Sequence, residues 1–186
     1  MRKLVLLGLS VLALAACGGE DGDSTASATP DIDRAFIDAM VPHHQDAIAM
    51  AGAAEERGFE SDELTELAGN IRETQQEEID RMLGWREEWF GSRELEPDGE
   101  QRLGLDQQHA AEPGAGERAI EAADDVDTVF SQQMTPHHES AVAMAEIALE
   151  QSENDDIREL ATAIKETQSD ELEILARHGG GEGGHG

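Results

Sequence analysis

The chain contains a single cysteine, Cys17, and no tyrosine, and aromatic residues make up only 3% of it. One cysteine excludes an intramolecular disulfide and a metal cluster held by several thiolates. The scarcity of aromatic side chains argues against a large aromatic binding platform. No phosphate-binding loop is visible, and no nucleophile stands with a matched base and oxyanion donors. The sequence therefore does not favour a hydrolase or a kinase.

Basic residues are also scarce, with 13 Lys and Arg against 42 Asp and Glu and a formal net charge of −29. If Arg2 and Lys3 are removed with an amino-terminal signal, the balance becomes 11 − 42 = −31. Such a surface repels nucleic acids and anionic substrates and attracts cations. We therefore expect a metal ion and no nucleic acid as a partner, although solubility or a saline medium would also explain the charge.

The amino terminus carries a hydrophobic run, over residues 4–14, which is too short to span a bilayer comfortably. It follows the charged pair Arg2-Lys3, and this order predicts an export signal over residues 1–16. The run ends in Leu14-Ala-Ala-Cys17, which resembles the lipobox of bacterial lipoproteins. The resemblance implies cleavage before Cys17 and lipidation of its thiol. An ordinary signal peptide with an unmodified cysteine is the alternative.

Residues 17–30 consist of small, polar and acidic residues and end at a proline, which predicts a flexible tether. We expect an exported protein that is anchored at the outer face of the bacterial cell membrane or in the periplasm. The membrane would be reached only through the lipid on Cys17. The tail, residues 179–186, is a Gly/His segment too rich in glycine to order. One domain of ordinary size remains, over residues 31–178.

The domain shows no sustained alternation of β-branched residues, and its periodicity predicts an all-α fold. The predicted helices run from a cap at Asp31 or Asp33 to Arg57, from Ser61 to Phe90, from Glu117 or Asp124 to Gln151, and from Asn154 to Arg177. Pro42 should kink the first helix or mark its true start, and Gly58 should end it. The linker, residues 91–116, can hold one short helix near Leu103, Leu105 and His109.

An internal repeat organises the domain. Met40-Val-Pro-His-His-Gln-Asp-Ala-Ile-Ala-Met50 returns as Met134-Thr-Pro-His-His-Glu-Ser-Ala-Val-Ala-Met144, 137 − 43 = 94 residues later. Ile71-Arg-Glu-Thr-Gln75 returns as Ile164-Lys-Glu-Thr-Gln168 after 93 residues. Each repeat, over residues 31–90 and 117–178, is therefore predicted to be a helical hairpin. Packing the two hairpins together gives a four-helix bundle with approximate twofold symmetry.

Polar residues interrupt the apolar seams of these helices at repeat-matched positions. A buried polar group needs a partner, and glutamate can ligate a metal or fix a histidine tautomer. The candidate metal-site residues are His43, His44, His137, His138, Met40, Met50, Met134, Met144, Glu78 and Glu171. Core histidines, methionine packing and His–Glu ion pairs are the structural alternatives. Repetition of all four histidines favours ligand roles.

The spacing of the ligands favours copper. Di-iron bundles place Glu three residues before His, whereas Met40 precedes His43 and Met134 precedes His137 at that spacing. Thioether and imidazole together suit Cu(I), and nitrogen and oxygen ligands accommodate Cu(II). Zinc rarely accepts methionine. We expect one site in each repeat, and the two can be unequal because Leu175 stands near the position that Met82 takes in the first repeat.

The doubled Met-x-Pro-His-His-x-x-Ala-x-x-Met motif, with the two Gln-x-x-Glu helices, resembles the domain of unknown function 305 family. The resemblance covers residues 31–178. It implies a ferritin-like four-helix bundle and an exported bacterial protein. Some members of that family bind copper and are linked to copper tolerance. It carries the metal-site hypothesis onto the four His and four Met of the motifs.

The sequence thus predicts a metal-binding protein of the cell envelope that binds or buffers copper, or confers copper tolerance. A metal-dependent oxidase, for instance of Cu(I), is one alternative. A structural helical interaction module without metal is the other. No catalytic residue and no protein partner is indicated.

Lipidation of Cys17 is directly testable. The wild-type chain should incorporate labelled palmitate and sediment with membranes, because acyl chains on this thiol would be its only anchor. The Cys17→Ser variant should be released into the soluble fraction. A wild-type chain that is soluble and carries no label would reject the anchor.

Overall fold

The computed structural model describes residues 29–105 and 114–180. The predicted export signal, Cys17, His109 and residues 181–186 of the Gly/His tail lie outside these ranges. The described residues form six helices and no strand: α1 Thr29–Arg57, α2 Asp62–Phe90, α3 Gly99–Arg102, α4 Ala115–Glu121, α5 Val126–Gln151 and α6 Asp155–His178. Among these helices, none combines the length and apolarity needed to cross a membrane. The predicted all-α fold is confirmed.

Four long helices make the bundle. α1 packs along α2 and α5 along α6, so each repeat is a hairpin, and the hairpins join mainly through α1 and α5. Residues before His43 share a buried cluster with residues that follow His137, and residues after His43 share a second cluster with residues that precede His137. α1 and α5 therefore cross in antiparallel directions, with the His-His motifs at the crossing.

The helix ends agree with the sequence in most places. The Ser61 hydroxyl accepts a hydrogen bond from the Leu64 amide and caps α2, and Asn154 caps α6. Gly58 follows α1 with a φ of 88°, a left-handed conformation that suits glycine. Pro42 lies inside α1, so it does not mark the start of the helix.

Three details differ from the sequence prediction. α1 begins at Thr29, so neither Asp31 nor Asp33 is its cap. The third long helix begins at Val126 after a cap at Asp125, and α4 is a separate helix before it. The connection between α2 and α5 therefore covers residues 91–125. Its first short helix, α3, precedes Leu103 instead of containing it.

Asp33 and Asp127 occupy equivalent repeat positions (127 − 33 = 94) and join the two hairpins. The Asp127 carboxylate accepts hydrogen bonds from the amides of Glu60 and Ser61, at 3.0 and 2.9 Å, in the loop between α1 and α2. The Asp33 carboxylate accepts one from the hydroxyl of Ser152, which follows α5. Burial raises the pKa of Asp33, and the bond to Ser152 opposes that shift. Each hairpin thus accepts hydrogen bonds from the loop that joins the two long helices of the other hairpin.

The carboxyl-terminal part of α2 buries an arginine and leaves its two tryptophans partly exposed. Trp85 and Trp89 stack on each other at its half-exposed edge, with ring centroids 5.3 Å apart, while the Arg86 side chain is buried. Arg86 Nε donates to the buried carboxylate of Asp38 at 2.9 Å, and Arg102 donates to its other oxygen at 2.6 Å. Because Arg102 belongs to α3, this ion cluster fastens the connection to repeat one.

α3 also touches the backbone of α1 directly. A Cβ atom on Gly99 would lie 2.6 Å from the amide nitrogen of Ala39 and 2.7 Å from the carbonyl carbon of Asp38. Only glycine permits this approach. The segment between the repeats is therefore seated on one side of the bundle.

Asp127→Ala should lower the free energy of unfolding by about 1–3 kcal/mol, because two loop amides lose a charged acceptor. Urea unfolding measures the change. Asp155→Ala is the matched control, since Asp155 is also an acid in the first turn of a long helix. Equal losses in the two variants would mean that only the helix dipole is involved.

Candidate metal centre

The first histidines of the two motifs meet where α1 crosses α5. The rings of His43 and His137 have centroids 3.7 Å apart and planes inclined by 32°. We call these two residues the axial pair, because they lie on the approximate twofold axis that relates the repeats. The sequence predicts a separate site in each repeat, whereas the structure places one histidine from each repeat in direct contact.

The second histidines point away from that contact, toward the partner helix of their own hairpin. His44 Nε2 lies 2.7 Å from Glu78 Oε2, and His138 Nε2 lies 2.8 Å from Glu171 Oε2. An ionised carboxylate only accepts, so each Nε2 carries a hydrogen atom and donates it, and in the neutral imidazole Nδ1 is then the nitrogen with the free lone pair. This is the arrangement in which glutamate fixes a histidine tautomer.

Several imidazole nitrogens in this region are buried and lack a hydrogen-bond partner. They come from all four motif histidines: both nitrogens of His43, and the Nδ1 atoms of His44, His137 and His138. The side-chain carbonyls of Gln75 and Gln168 are also buried without a hydrogen-bond partner. Core histidines normally satisfy their nitrogens, because an unpaired buried polar atom destabilises the fold. These nitrogens are instead suited to a metal ion.

Burial strongly disfavours the charged form of the axial pair. It lowers the pKa of His43 well below the ordinary value, and the neighbouring imidazoles of His137, His44 and His138 lower it further. Burial, followed by repulsion from His138 and His44, lowers the pKa of His137 to about 3. Both rings are therefore neutral at neutral pH, the state in which imidazole binds a metal.

The four motif methionines are buried in the two apolar clusters that flank the axial pair. Met40 and Met144 lie in one cluster, together with Met82. Met50 and Met134 lie in the other, where Leu175 takes the position equivalent to Met82. Each cluster therefore combines one motif methionine from each repeat, and the clusters differ by one thioether, as the sequence suggested.

A cavity of about 510 Å³ lies beside the axial pair, between α1, α5 and the connecting segment. Its chemically distinctive lining residues are His43, His137, Met50, Asp46, Glu100 and Glu117. Asp46 Oδ1 accepts a hydrogen bond from the Gly114 amide at 3.1 Å, and its Oδ2 lies 3.7 Å from His137 Nε2. Sequence reasoning missed Asp46. Its position three residues after His43, on the same helix face, was the available signal.

Within residues 29–105 and 114–180, no three His, Cys, Asp or Glu side chains are grouped closely enough to hold a metal ion. A carboxylate-bridged di-iron centre requires such groups. A site at the axial pair therefore needs another kind of ligand beside its two imidazoles. The sulfur of a methionine is the further soft donor in the cavity wall.

The model of the family described as Domain of unknown function (DUF305) matches residues 33–178. The chain belongs to the DUF305 family. Its fold and motif pattern agree with this membership, and the resemblance noted in the sequence is confirmed. None of the curated proteins matches the chain.

Solved structures of similar proteins include CopM. The Cu(I)-bound form of CopM is 33% identical, with a TM-score of 0.64, and the match covers 78% of this chain and 93% of CopM. The Cu(II)-bound form is 33% identical, with a TM-score of 0.63 and coverage of 79% and 96%. A DUF305 protein from Streptomyces coelicolor, whose name describes it as secreted, is 26% identical, with a TM-score of 0.72 and coverage of 83% and 98%.

The metal-free protein should lose stability in acid because of the axial pair. The pKa values of His43 and His137 are lower in the folded chain than the ordinary value of 6.5. Below pH 6.5 the unfolded chain therefore binds more protons, and the free energy of unfolding falls as the pH falls. The slope should approach about 1.4 kcal/mol per pH unit for each ring.

Urea unfolding between about pH 5 and 7 avoids most carboxyl titration. A His43→Gln/His137→Gln variant should show a shallower slope than wild type over that range. Equal slopes would mean that these rings do not carry the acid sensitivity.

Proposed function

We propose that this protein binds copper in the bacterial cell envelope and protects the cell by buffering the concentration of free copper there. The observation that carries the proposal is the set of buried, unpartnered imidazole nitrogens on His43, His44, His137 and His138. Neutral imidazole nitrogen is a good ligand for both oxidation states of copper, and thioether sulfur adds preference for Cu(I). The chain supplies both donors in one region of the bundle.

The related structures support copper as the ion. CopM was crystallised in Cu(I)-bound, Cu(II)-bound and Ag-bound forms, and it is 33% identical to this chain over most of both lengths. Ag(I) resembles Cu(I) in its preference for soft donors, so the bound forms of CopM match the donors found here. The acidic surface of this chain would raise the local concentration of cations.

The residues have distinct roles in this proposal. The axial pair supplies the candidate imidazole ligands, and a methionine that lines the cavity beside it supplies the candidate thioether. Glu78 and Glu171 hold His44 and His138 through Nε2 and leave Nδ1 facing the interior. A bound ion would satisfy nitrogens that otherwise lack partners, so binding should also stabilise the fold. Copper is cargo in this proposal, and no turnover is required of the site.

The cell envelope is the proposed location because the sequence predicts an export signal before the domain. The name of the Streptomyces coelicolor relative, which describes that protein as secreted, agrees with export. Anchoring through Cys17 is part of the proposal and would keep the copper site close to the membrane. A buffer at this position would take up copper before it reaches the cytoplasm.

His43→Ala/His137→Ala should weaken Cu(I) binding by at least about tenfold, the scale on which disturbed metal sites lose affinity. Anaerobic competition with a chromophoric Cu(I) chelator measures the change. His178→Ala is the matched control, because His178 also contacts a glutamate, Glu63 at 2.8 Å, but lies at the far end of α6. If the quadruple variant of His43, His44, His137 and His138 binds as tightly as wild type, the site lies elsewhere.

The cellular role has a separate readout. Expression of the wild-type chain in a copper-sensitive bacterium should raise the copper concentration that permits growth, and the axial double variant should not. Sustained aerobic consumption of Cu(I) by the purified protein, beyond the bound amount, would indicate an oxidase instead of a buffer.

A further inference from the structure

The approximate twofold symmetry fails at one pair of methionines. Met50 and Met144 are equivalent in sequence (144 − 50 = 94). Met50 lines the cavity beside the axial pair. Met144 is fully buried in the apolar cluster that also holds Met40, and it does not line that cavity. The two repeats therefore offer different methionines to the space around His43 and His137.

The connecting segment causes this difference. Gly116, in α4, lies so close to Met50 that a Cβ atom built on it would stand 2.2 Å from the Met50 sulfur and 3.1 Å from its Cγ. The sulfur is thus seated against the backbone of α4. Gly116 also lines the cavity, so this contact forms part of its wall. A single connection can cover the axis from one side only.

The same side of the axis carries a second departure from symmetry. Asp46 corresponds to Ser140 in the second repeat (140 − 46 = 94), and both residues line the cavity. Asp46 holds the Gly114 amide, two residues before Gly116. The carboxylate thereby helps to fix the amino-terminal end of α4, against which the sulfur rests. Gly116 therefore limits the position of Met50 by direct contact, and Asp46 does so indirectly by holding the backbone of α4.

We propose that the chain holds one asymmetric site for a soft monovalent cation, Cu(I) or Ag(I), formed by His43, His137 and Met50. Gly116 is the positioning residue that keeps the Met50 sulfur in the cavity wall. The inference rests on the proposed function and deepens it by assigning the ligands. Two imidazoles and one thioether form a donor set that a soft ion accepts, while Cu(II) depends little on the thioether.

This choice of ligands predicts one bound ion at the axial pair, whereas one site per repeat would predict two. A pair of repeat-matched sites would bind two ions with equivalent ligands. The axial pair, shared between the repeats, provides one site, and a sulfur from repeat one completes it. The remaining motif methionines then serve mainly as core packing, for which methionine is well suited.

Met50→Leu and Met144→Leu form a matched pair for the test, because both changes keep volume and apolarity in a buried position. Titration with Ag(I), and anaerobically with Cu(I), against a competing chelator measures each affinity. Met50→Leu should lower affinity for both ions by about tenfold or more, and Cu(II) affinity much less. Met144→Leu should bind all three ions as wild type does.

Gly116→Ala tests the positioning role without removing a donor. Alanine favours a helix more than glycine does, so the fold should persist, but its Cβ would occupy the place of the Met50 sulfur. Ag(I) affinity should fall as it does in Met50→Leu. Gly84→Ala is the control, since a Cβ on Gly84, within α2, would meet nothing within 4 Å. Circular dichroism and urea unfolding check that both variants fold.

The methyl groups of methionine give a direct readout. In the wild-type protein with labelled methionine methyls, one equivalent of Ag(I) should shift the Met50 signal and leave the Met144 signal almost unchanged. The Met50→Leu and Met144→Leu variants assign the two signals. Equal shifts at both methyls, or equal affinity losses in both leucine variants, would overturn the asymmetric site in favour of one site per repeat.

The remaining outcomes separate this inference from the proposed function. If the axial double variant loses binding but Met50→Leu and Gly116→Ala do not, copper binds at the histidines and the assignment of Met50 is wrong. If none of these variants changes affinity, the proposed function fails at this site and the assignment of Met50 fails with it.

Discussion

The contact between His43 and His137 is the constraint on which the centre depends. Two imidazoles 3.7 Å apart in a buried crossing cannot both be charged, and burial keeps each of them neutral. Neutral rings with bare lone pairs need a partner that the described residues do not supply. The bundle therefore holds two neutral imidazoles in a location where protons are disfavoured, as the proposed copper site requires.

The repeat and the connection make different contributions. Duplication of a hairpin places matched residues around an axis, including the axial pair, the two His–Glu contacts and the carboxylates of Asp33 and Asp127. A connection can follow only one path between the hairpins, so it necessarily breaks the symmetry. Here it is fixed by the Asp38 ion cluster and by glycines at α3 and α4, and it forms one wall of the cavity. Symmetry supplies the pair of rings, and the connection makes their surroundings unequal.

Much of the fold could be predicted from the sequence because the evidence was local or repeated. In α6, the apolar residues that recur every three or four positions from Ile157 to Leu175 are buried, and Gln168 and Glu171 on the same face are buried with them. The same reasoning failed at the end of α2, where periodicity could not show that Arg86 has a buried carboxylate as its partner. The amphipathic pattern indicates which face is buried but does not identify the opposing helix. For that reason, the sequence predicts a complete site in each repeat, whereas the rings of His43 and His137 meet across the two repeats.

The glycines of the connection show a related limit. In sequence, Gly99 and Gly116 look like ordinary loop residues, whereas in the structure both permit close contact with α1. Nothing in the composition distinguishes a glycine that allows a turn from one that allows another helix to approach. The sequence therefore identifies Met50 as a candidate metal ligand but does not show where its side chain lies. Side chains at a shared axis depend on packing between repeats, and such packing becomes visible only when the two repeats are assembled.

Affinity and stability are coupled at such a centre. Each buried nitrogen without a partner lowers the stability of the metal-free fold by about 1–3 kcal/mol, and the surrounding apolar clusters must compensate for this. An ion that ligates these nitrogens removes this destabilisation. Ion binding should therefore raise the free energy of unfolding. The extensive methionine and alanine packing on both sides of the axis is consistent with that requirement. This packing holds the two imidazoles of the axial pair in place on the side away from the cavity, and the cavity leaves their other side open to a ligand.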